Sequence, residues 1–583
     1  MWATGGIPIF SDLTAAAEKD LRRSEALSLP LVLIALAVVF GTVVAAALPI
    51  AMAVVTVALT MALVYLLTQT MDVSIFVLNI ASFLGIGISV DYTLLMVSRF
   101  REELPHRDLA EAAGTTMTTA GRTVLFSGLT TAVGLSGLLF IPFTFFRSLA
   151  IGGVTVVMLS MLVVMTLVPA LLGALGPRIN SLRVLPRSRK QRGVWQRVAY
   201  GVMRHPLWIA LPVIILLLLL ASPFRAVKIG APWTSELPRN AEARQGWEKV
   251  EKELGPGTLS PVVVVAQVQG GVLRPETVGT LYDFTHKMAA DPRVARIDSI
   301  VTLSPLITKE QYQQMYSAPE AIPFPEVKAS LGRLVGKDIT VIRIYPSYPT
   351  VSDETKALLK EIRTQGVGPG IITLVTGATA DLVDAVNLMY RDFPQVMLYV
   401  VAVTYLLLLV LFRSLVLPLK AVIMNALSIF ASYGALVYVF QQGHFQELLG
   451  FRADGYTEAT VPIMMFCILF GLSMDYEVFL LGRIKELYDE SGDNTASVAV
   501  GLGKTGQIIT SAALILVLVA AAFATSDVIV VKALGVSMAI AILLDATLVR
   551  ALLVPALMRI LGDWNWWAPR FVKRLLPEQR MTK

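Results

Sequence analysis

The 583-residue chain is 55% hydrophobic and only 16% charged, with a mean hydropathy of +0.68 and a net charge of +7. Soluble domains carry about 25% charged residues, so this composition excludes disordered, collagenous and disulfide-scaffold proteins, and a cytosolic enzyme with a small anchor. The single cysteine, Cys467, allows neither an internal disulfide nor a cysteine-based zinc site, and four scattered histidines indicate no metal cluster. The sequence predicts a polytopic membrane protein.

Eleven apolar runs are each close to the roughly 20 residues that a membrane-spanning helix needs. They lie at 24–40, 43–67, 74–98, 122–141, 147–172, 205–222, 395–412, 415–440, 460–482, 506–524 and 528–553. No clear polar break separates the first two runs, and we expect a turn between them at Gly41 and Thr42.

Basic residues give the orientation of these spans. The link from Pro177 to His205 carries eight arginines and lysines without an acidic residue, and the tail after Leu561 adds five more. Because positive residues concentrate in cytoplasmic loops, both segments are expected in the cytoplasm. Binding of nucleic acid by the link is a weaker interpretation, since the link lies between two apolar helices.

Between residues 223 and 394 the chain becomes polar and rich in proline. Strand-like runs occur at Val262–Val268, Asp338–Tyr345 and Ile371–Thr376, with helix-like segments at Asp353–Thr364 and Ala380–Tyr390. Strands that alternate with helices predict a compact α/β module. The topology places this module outside the cytoplasmic membrane.

An internal repeat relates the two halves of the membrane region. The pattern Gly-x-Ser-x-Asp-Tyr occurs at 87–92 and again at 471–476, an offset of 384 residues. Phe-Gly-Thr at 40–42 matches Phe-Arg-Ser at 412–414 at an offset of 372, which supports the turn at Gly41. Repeats of this kind are typical of secondary transporters, whose halves move against each other around a central site.

The repeat also predicts the domain layout. The second repeat contains one helix, an outer domain and five helices, so the first repeat is expected to lack a helix and most of an outer domain before Met1. The expected segments are the end of a truncated outer domain (1–23), a first bundle of five helices (24–176), a basic link (177–204), the helix opening the second repeat (205–222), an outer domain (223–394), a second bundle (395–560) and a cytoplasmic tail (561–583).

Four duplicated polar residues lie within these apolar helices. Asp91 and Asp475 are each followed by a tyrosine, and ionisable residues inside a membrane usually face the bundle interior and serve a pathway. An internal two-fold axis would pair Asp91 with Tyr476 and Tyr92 with Asp475. We interpret these four residues as a proton relay, and a purely structural hydrogen bond between helices is the alternative.

Three further residues are accessory candidates. Ser89 and Ser473 lie within one turn of the aspartates and are expected to help orient them. Asp545 in the last helix is either a third relay member or the partner of Arg550, and the sequence leaves both open. Glu477 lies nearly opposite Asp475 on the helix and is expected to be structural.

Two other motifs are discounted. Gly503-Lys504-Thr505 ends like a phosphate-binding loop, but the required earlier glycine would fall at Val498. Intramembrane aspartyl proteases carry Gly-x-Gly-Asp, whereas residues 472 and 474 are Leu and Met. Neither ATP binding nor proteolysis is therefore expected.

The duplicated Gly-x-Ser-x-Asp-Tyr, each followed by Arg-x-x-Glu at 99–102 and 483–486, resembles the mycobacterial-membrane-protein-large (MMPL) family of the resistance-nodulation-division superfamily. So does Asp-Ala-Thr-Leu-Val-Arg at 545–550. This resemblance implies a proton-driven secondary transporter rather than an enzyme, without a cofactor or metal. It implies that Asp91, Tyr92, Asp475 and Tyr476 translocate protons and that residues 223–394 form a porter domain.

The resemblance further implies a lipid or hydrophobic small molecule as cargo, exported across the cytoplasmic membrane. Protons and membrane lipids are the other expected partners. No nucleic-acid partner is expected. The oligomeric state and any accessory envelope proteins stay open. Because family members have twelve helices and two porter domains, the alternative is a truncated scaffold of envelope machinery that does not transport.

Overall fold

The computed structural model describes residues 2–184, 193–230, 234 and 236–569. Within these residues, eleven helices are long and apolar enough to cross a membrane, and each overlaps one of the predicted spans. The prediction of a polytopic helical membrane protein is confirmed. Two compact units divide the chain: an outer unit, made of residues up to Leu13 and Gly230–Tyr390, and a membrane unit, made of the rest.

The described residues before the outer domain form eight α-helices. These helices are α1 (Gly6–Phe40), α2 (Val43–Leu67), α3 (Phe76–Glu103), α4 (Leu109–Thr116), α5 (Arg122–Ser136), α6 (Thr144–Leu175), α7 (Val194–Arg204) and α8 (Pro206–Ala221). A π-helical turn at Met117–Gly121 joins α4 to α5, so that both belong to one membrane span. The amphipathic helix α7 was not predicted, and residues 185–192 of the basic link lie outside the described part of the chain.

The turn between α1 and α2 has a counterpart in the second repeat. Gly41 and Arg413 both adopt the left-handed backbone conformation, at φ of +68° and +52°. Thr42 Oγ1 donates a hydrogen bond to the carbonyl of Ile179 (3.3 Å), and Ser414 Oγ donates in the same way to Asn565 (2.6 Å). The predicted turn at Gly41 is confirmed, and the repeat extends to its hydrogen bonds.

The outer unit contains a four-stranded sheet and several short helices. The elements after α8 are β1 (Ile229–Gly230), α9 (Glu242–Leu254), β2 (Val262–Val268), α10 (Pro275–Ala289), β3 (Val294–Asp298), α11 (Lys309–Ser317), α12 (Pro325–Leu334), β4 (Ile339–Pro346), α13 (Asp353–Gln365) and β5 (Ile371–Thr376). The three predicted strands and the helix at 353–364 are present. Strand β3 and helices α9 to α12 were not predicted.

The sheet has the order β3-β4-β2-β5, with antiparallel neighbours throughout. Alternate residues of β2 and β4 are buried, because successive side chains of a strand point to opposite faces. That face packs against α10, α11 and α13 through residues such as Leu281, Tyr312 and Leu358. Strand β3 was missed because its burial pattern does not alternate.

Residues near the N-terminus belong to the outer unit. Thr4 Oγ1 donates to the carbonyl of Ala243 (2.7 Å), and the Asp12 carboxylate accepts from the backbone N–H of Ala243 (3.0 Å). Ile9 packs with Leu237 and Ala243 in a small apolar cluster. These contacts fasten the start of α1 to the start of α9 within the outer unit.

The second half of the membrane unit follows the outer unit. Its elements are α14 (Ala378–Phe412), α15 (Val416–Leu436), α16 (Gln446–Leu449), β6 (Thr457–Glu458), α17 (Thr460–Ser491), α18 (Asn494–Phe523), α19 (Ile529–Leu544) and α20 (Val554–Leu561). A π-helical segment, Asp545–Leu553, joins α19 to α20. Residues 570–583 of the predicted tail lie outside the described residues.

Helices α1 and α14 are both longer than their predicted spans. They begin at Gly6 and Ala378, whereas the apolar runs begin at 24 and 395. The extra turns carry polar residues such as Asp12, because hydropathy marks the hydrocarbon-facing part of a helix and not its end. Residues 6–23, expected as the end of an outer domain, form the first turns of α1, and those up to Leu13 belong to the outer unit.

Candidate functional site

Two glycines of the repeated motif allow close packing at the centre of the membrane unit. A Cβ atom built on Gly471 of α17 would lie 2.9 Å from Cα of Thr131 in α5. One built on Gly87 of α3 would lie 2.5 Å from Cδ2 of Leu516 in α18. A larger residue at position 471 would collide with the backbone of α5, so this glycine lets α5 pack closely against α17, whereas the atom close to Gly87 is the end of the Leu516 side chain.

The aspartates and tyrosines of the motif meet as crossed pairs. The hydroxyl of Tyr92 donates to Asp475 Oδ2 (3.2 Å), and the hydroxyl of Tyr476 donates to Asp91 Oδ2. All four side chains are buried, with less than a tenth of their surface exposed. The pairing that the internal two-fold predicts is present, and each pair joins α3 to α17.

Two more hydroxyls surround Asp475. Thr131 Oγ1 donates to Asp475 Oδ1 at 2.8 Å, and Thr130 Oγ1 lies 3.3 Å from the same oxygen. Both threonines belong to α5, the helix that packs closely against Gly471 of α17. These threonines were not predicted from the sequence, because hydroxyl residues are common in membrane helices and neither threonine lies in a repeated motif.

Asp91 has a different environment. Its Oδ1 has no hydrogen-bond partner among the described residues. The guanidinium of Arg550 lies 4.5 Å from the ring centroid of Tyr476, the tyrosine that donates to Asp91. A cation over an aromatic face is attracted by the negative face of the ring, so Arg550 supports the Asp91 pair through Tyr476.

Asp545 forms a buried ion pair with Arg550. Arg550 Nη2 also donates to the backbone carbonyl of Ser473 (2.9 Å), which ties the π-helical segment to α17. The sequence left two roles open for Asp545, and the geometry favours its role as the ion-pair partner of Arg550. Ser473 accepts from Arg550 through its backbone carbonyl, and its side chain interacts with Asp545.

Ser89 makes a different contact from the one expected. Its hydroxyl lies 3.0 Å from the hydroxyl of Ser160 in α6, and both side chains are buried. This hydrogen bond joins α3 to α6 within the first half of the membrane unit. The structure therefore places Ser89 beside α6, although a role in orienting Asp91 had been expected.

Two further buried charges lie near the crossed Asp–Tyr pairs. Glu477 of α17 and Lys420 of α15 are each less than a tenth exposed and interact electrostatically. Lys420 Nζ lies 2.9 Å from Sδ of Met558, and Glu477 Oε1 has no hydrogen-bond partner among the described residues. Lys420 was not predicted as a site residue, although a lysine within an apolar span is itself a signal of a polar site in the membrane.

The buried cluster has more acids than bases. Its acids are Asp91, Asp475, Glu477 and Asp545, and its bases are Lys420 and Arg550. With every group ionised the cluster would carry two uncompensated negative charges, and burying unpaired charge costs at least several kcal/mol. Two bound protons would cancel that charge. Tyrosine and threonine hydroxyls suit the binding and release of protons by these acids, because a hydroxyl can donate to a carboxylate and accept from a carboxylic acid.

Comparison with known proteins identifies the family. The model of the MMPL family matches residues 1–209 and 237–579. The chain belongs to the MMPL family. The membrane protein SCO6666 of Streptomyces coelicolor is 35% identical over 574 residues, which are 98% of this chain and 74% of that protein. The resemblance inferred from the duplicated motif is thus confirmed.

Another relative of this MMPL chain is the trehalose monomycolate exporter MmpL3 of Mycobacterium tuberculosis. It is 33% identical over 601 residues, covering 97% of this chain but 61% of MmpL3, so the chain spans less than two thirds of that relative. The solved structure of the hedgehog release protein Disp from the water bear Hypsibius dujardini superimposes with a TM-score of 0.70 at 12% identity. That alignment covers 94% of this chain and 71% of Disp. At such low identity the likeness shows the fold alone.

Proposed function

We propose that this MMPL chain exports lipids or other hydrophobic molecules across the cytoplasmic membrane, driven by protons that bind at the crossed Asp–Tyr pairs. The observation that carries this proposal is the arrangement of Asp91, Tyr92, Asp475 and Tyr476. These residues come from both repeats, lie buried in the membrane unit, and are the main polar link between α3 and α17. A change of protonation there acts on both halves at once.

The proposed mechanism follows from charge and hydrogen bonding. An ionised Asp475 holds the hydroxyls of Tyr92 and Thr131 as donors, which draws α3 and α5 toward α17. A proton on Asp475 removes the charge and weakens both bonds, since hydrogen bonds to charged groups are roughly twice as strong as neutral ones. Protonation therefore loosens the contact between repeats, and release of the proton restores it. Such a two-state contact can drive alternating access.

The cargo is proposed from family membership and from composition. MmpL3 is named as an exporter of trehalose monomycolate, a lipid, and this chain is 33% identical to it over nearly its whole length. A lipid taken from the membrane would reach the protein through its apolar surface without crossing water. The cytoplasmic membrane is thus the proposed source of the cargo and the proposed site of transport.

The test compares Asp91→Asn and Asp475→Asn with the parent in inverted vesicles. A pH-sensitive dye inside the vesicles reports proton movement, and an acyl-chain fluorophore serves as the transported probe. Each variant is expected to lose uncoupler-sensitive probe transport, because asparagine cannot carry a proton at this site. Asp20→Asn is the control: Asp20 is equally buried, and its carboxylate accepts from the backbone N–H groups of Asp527 and Val528 rather than from the relay. Normal transport by both relay variants would rule out the proposal.

A further inference from the structure

A second site lies at the cytoplasmic end of the membrane unit. A cavity of about 280 Å³ is lined by the ends of α3, α14 and α17 and by parts of α18 and of the span that contains α5. The topology places all these helix ends on the cytoplasmic side. Leu95 follows Asp91 by four residues, and Phe479 follows Asp475 by four, so the cavity begins one helical turn from the relay.

The cavity is apolar on one side and charged on the other. Its apolar wall includes Phe126, Leu411 and Phe479. Its charged wall has six basic side chains and three acidic ones, which are Arg99, Arg122, Arg413, Arg483, Lys485, Lys504, Glu102, Glu486 and Asp489. An apolar wall beside a basic one fits a molecule with a hydrocarbon part and a negative group.

Ion pairs account for part of this charge. Arg99 contacts Glu102 (3.3 Å) and also Glu103 (2.8 Å), which lies outside the lining. Arg483 pairs with Glu486, and Lys485 pairs with Asp489. These pairs use all three acidic residues of the lining, which holds three more basic side chains than acidic ones.

Half of the basic residues that line the cavity have no basic equivalent in the other repeat. Arg99 and Arg483 are equivalent by the 384-residue offset, and Lys485 is equivalent to Arg101, but Arg122, Arg413 and Lys504 have no basic equivalent. At the offset of 385 that matches Gly121 with Gly506, Arg122 is equivalent to Gln507 and Lys504 to Thr119. Lys504 is exposed and has no ion-pair partner among the described residues. The basic cavity is thus an addition to the symmetric scaffold.

We propose that this cavity binds the phosphodiester headgroup of an anionic phospholipid from the cytoplasmic leaflet. Arginine matches phosphate oxygens with paired N–H donors, and basic pockets between membrane helices on the cytoplasmic side are suited to anionic headgroups. The phosphate would lie near Arg122 and Lys504, and an acyl chain would lie along Phe126 and Phe479. The bound lipid would join helices of both repeats beneath the relay.

Removal of charge gives the first test. The full chain is purified from vesicles of phosphatidylcholine mixed with phosphatidylglycerol, and retained lipid is measured by native mass spectrometry. In the double variant Arg122→Gln with Lys504→Gln, retention of phosphatidylglycerol should fall by roughly tenfold or more, since each cation near the headgroup contributes about 1 kcal/mol. The control, Arg178→Gln with Arg204→Gln, removes the same charge from exposed cytoplasmic residues outside the cavity and should retain lipid normally.

Filling the cavity gives a second test that leaves its charge intact. Gly482 lines the cavity, and a Cβ atom built there meets no atom within 4 Å. Gly482→Leu should therefore displace the lipid by occupying its space. Gly173→Leu is the matched control, because Gly173 is also helical with open space around it but lies in α6, away from the cavity. It should retain phosphatidylglycerol as the parent does.

Three results would overturn the lipid site. One is equal retention of phosphatidylglycerol by the cavity variants and their controls. Another is equal retention of phosphatidylcholine and phosphatidylglycerol by the parent. The third is full displacement of the lipid by water-soluble glycerophosphate, which would identify a site for a free anion. The measurement of retained lipid needs no proton gradient, and Asp91→Asn should retain lipid normally. Failure of the lipid-site proposal can therefore be distinguished from failure of the relay proposal.

Discussion

Asp91 and Asp475 share the same motif but not the same surroundings. Each is buried and accepts a hydrogen bond from the tyrosine of the other repeat. Asp475 also accepts from Thr130 and Thr131, whereas Oδ1 of Asp91 has no partner among the described residues. The two carboxylates are therefore equivalent in sequence and unequal in their hydrogen bonds.

The difference arises from single positions in the neighbouring helices. Thr131, whose backbone lies against Gly471, is equivalent at an offset of 385 to Leu516, whose side chain lies against Gly87. Thr131 donates a hydroxyl to Asp475, and leucine has no hydroxyl to donate. Arg550 has the reverse asymmetry, since the equivalent residue at an offset of 386 is Val164. Duplication supplied the crossed pairs, and later divergence gave each pair its own support.

The strongest test of this asymmetry removes Arg550. Arg550→Met leaves Asp545 as a buried carboxylate without its ion-pair partner and removes the cation beside Tyr476. Breaking a buried pair by deleting one partner costs about 3–5 kcal/mol. We expect a corresponding loss of stability, measured as a lower unfolding temperature of the purified protein in detergent.

A double variant separates lost charge from lost packing. Arg550→Met combined with Asp545→Leu replaces the pair with apolar side chains, which is often nearly neutral for stability. The unfolding temperature of this double variant should be close to that of the parent. Its Asp91–Tyr476 pair should still lack the cation of Arg550 over the tyrosine ring. If the double variant is as unstable as the single one, the ion pair is not the source of the loss.

A smaller effect is expected on the other carboxylate. Thr131→Val keeps the shape of the side chain but removes the 2.8 Å hydrogen bond to Asp475. A hydrogen bond to a charged group contributes about 1.5–3 kcal/mol, and about 1.4 kcal/mol in a barrier changes a rate tenfold. Proton-driven probe transport should therefore fall by roughly tenfold or more. Thr131→Ser, which keeps the hydroxyl, should restore most of the rate.

Much of the fold and the centre of the site could be predicted from the sequence. Apolar runs of sufficient length identified every span, because a helix in hydrocarbon must satisfy its own backbone. The repeat then placed α3 beside α17 and crossed the pairs of Asp91 and Asp475. Symmetry supplied here the long-range contact that a single sequence normally hides.

The remaining features broke that symmetry and could not be predicted. Thr131 and Leu516 are equivalent positions with different residues, so no repeated motif marks either one. Whether Arg550 meets Asp545 depends on a π-helical segment, and the five-residue spacing gives no such contact on a regular helix. The lining of the cytoplasmic cavity comes from five helical segments far apart in sequence. A site formed by residues so far apart in sequence can be recognised only once the helices have packed together.

The smallest expected effect concerns Ser89, which lies two residues before Asp91. Ser89→Ala removes the 3.0 Å hydrogen bond to Ser160 and leaves the crossed pairs intact. The loss should be about 0.5–1.5 kcal/mol of stability, equal to that of Ser160→Ala, with no further loss in the double variant. Probe transport should stay at the parent rate. A decrease as large as that of Thr131→Val would place Ser89 in the relay and give Asp91 a hydroxyl partner of its own.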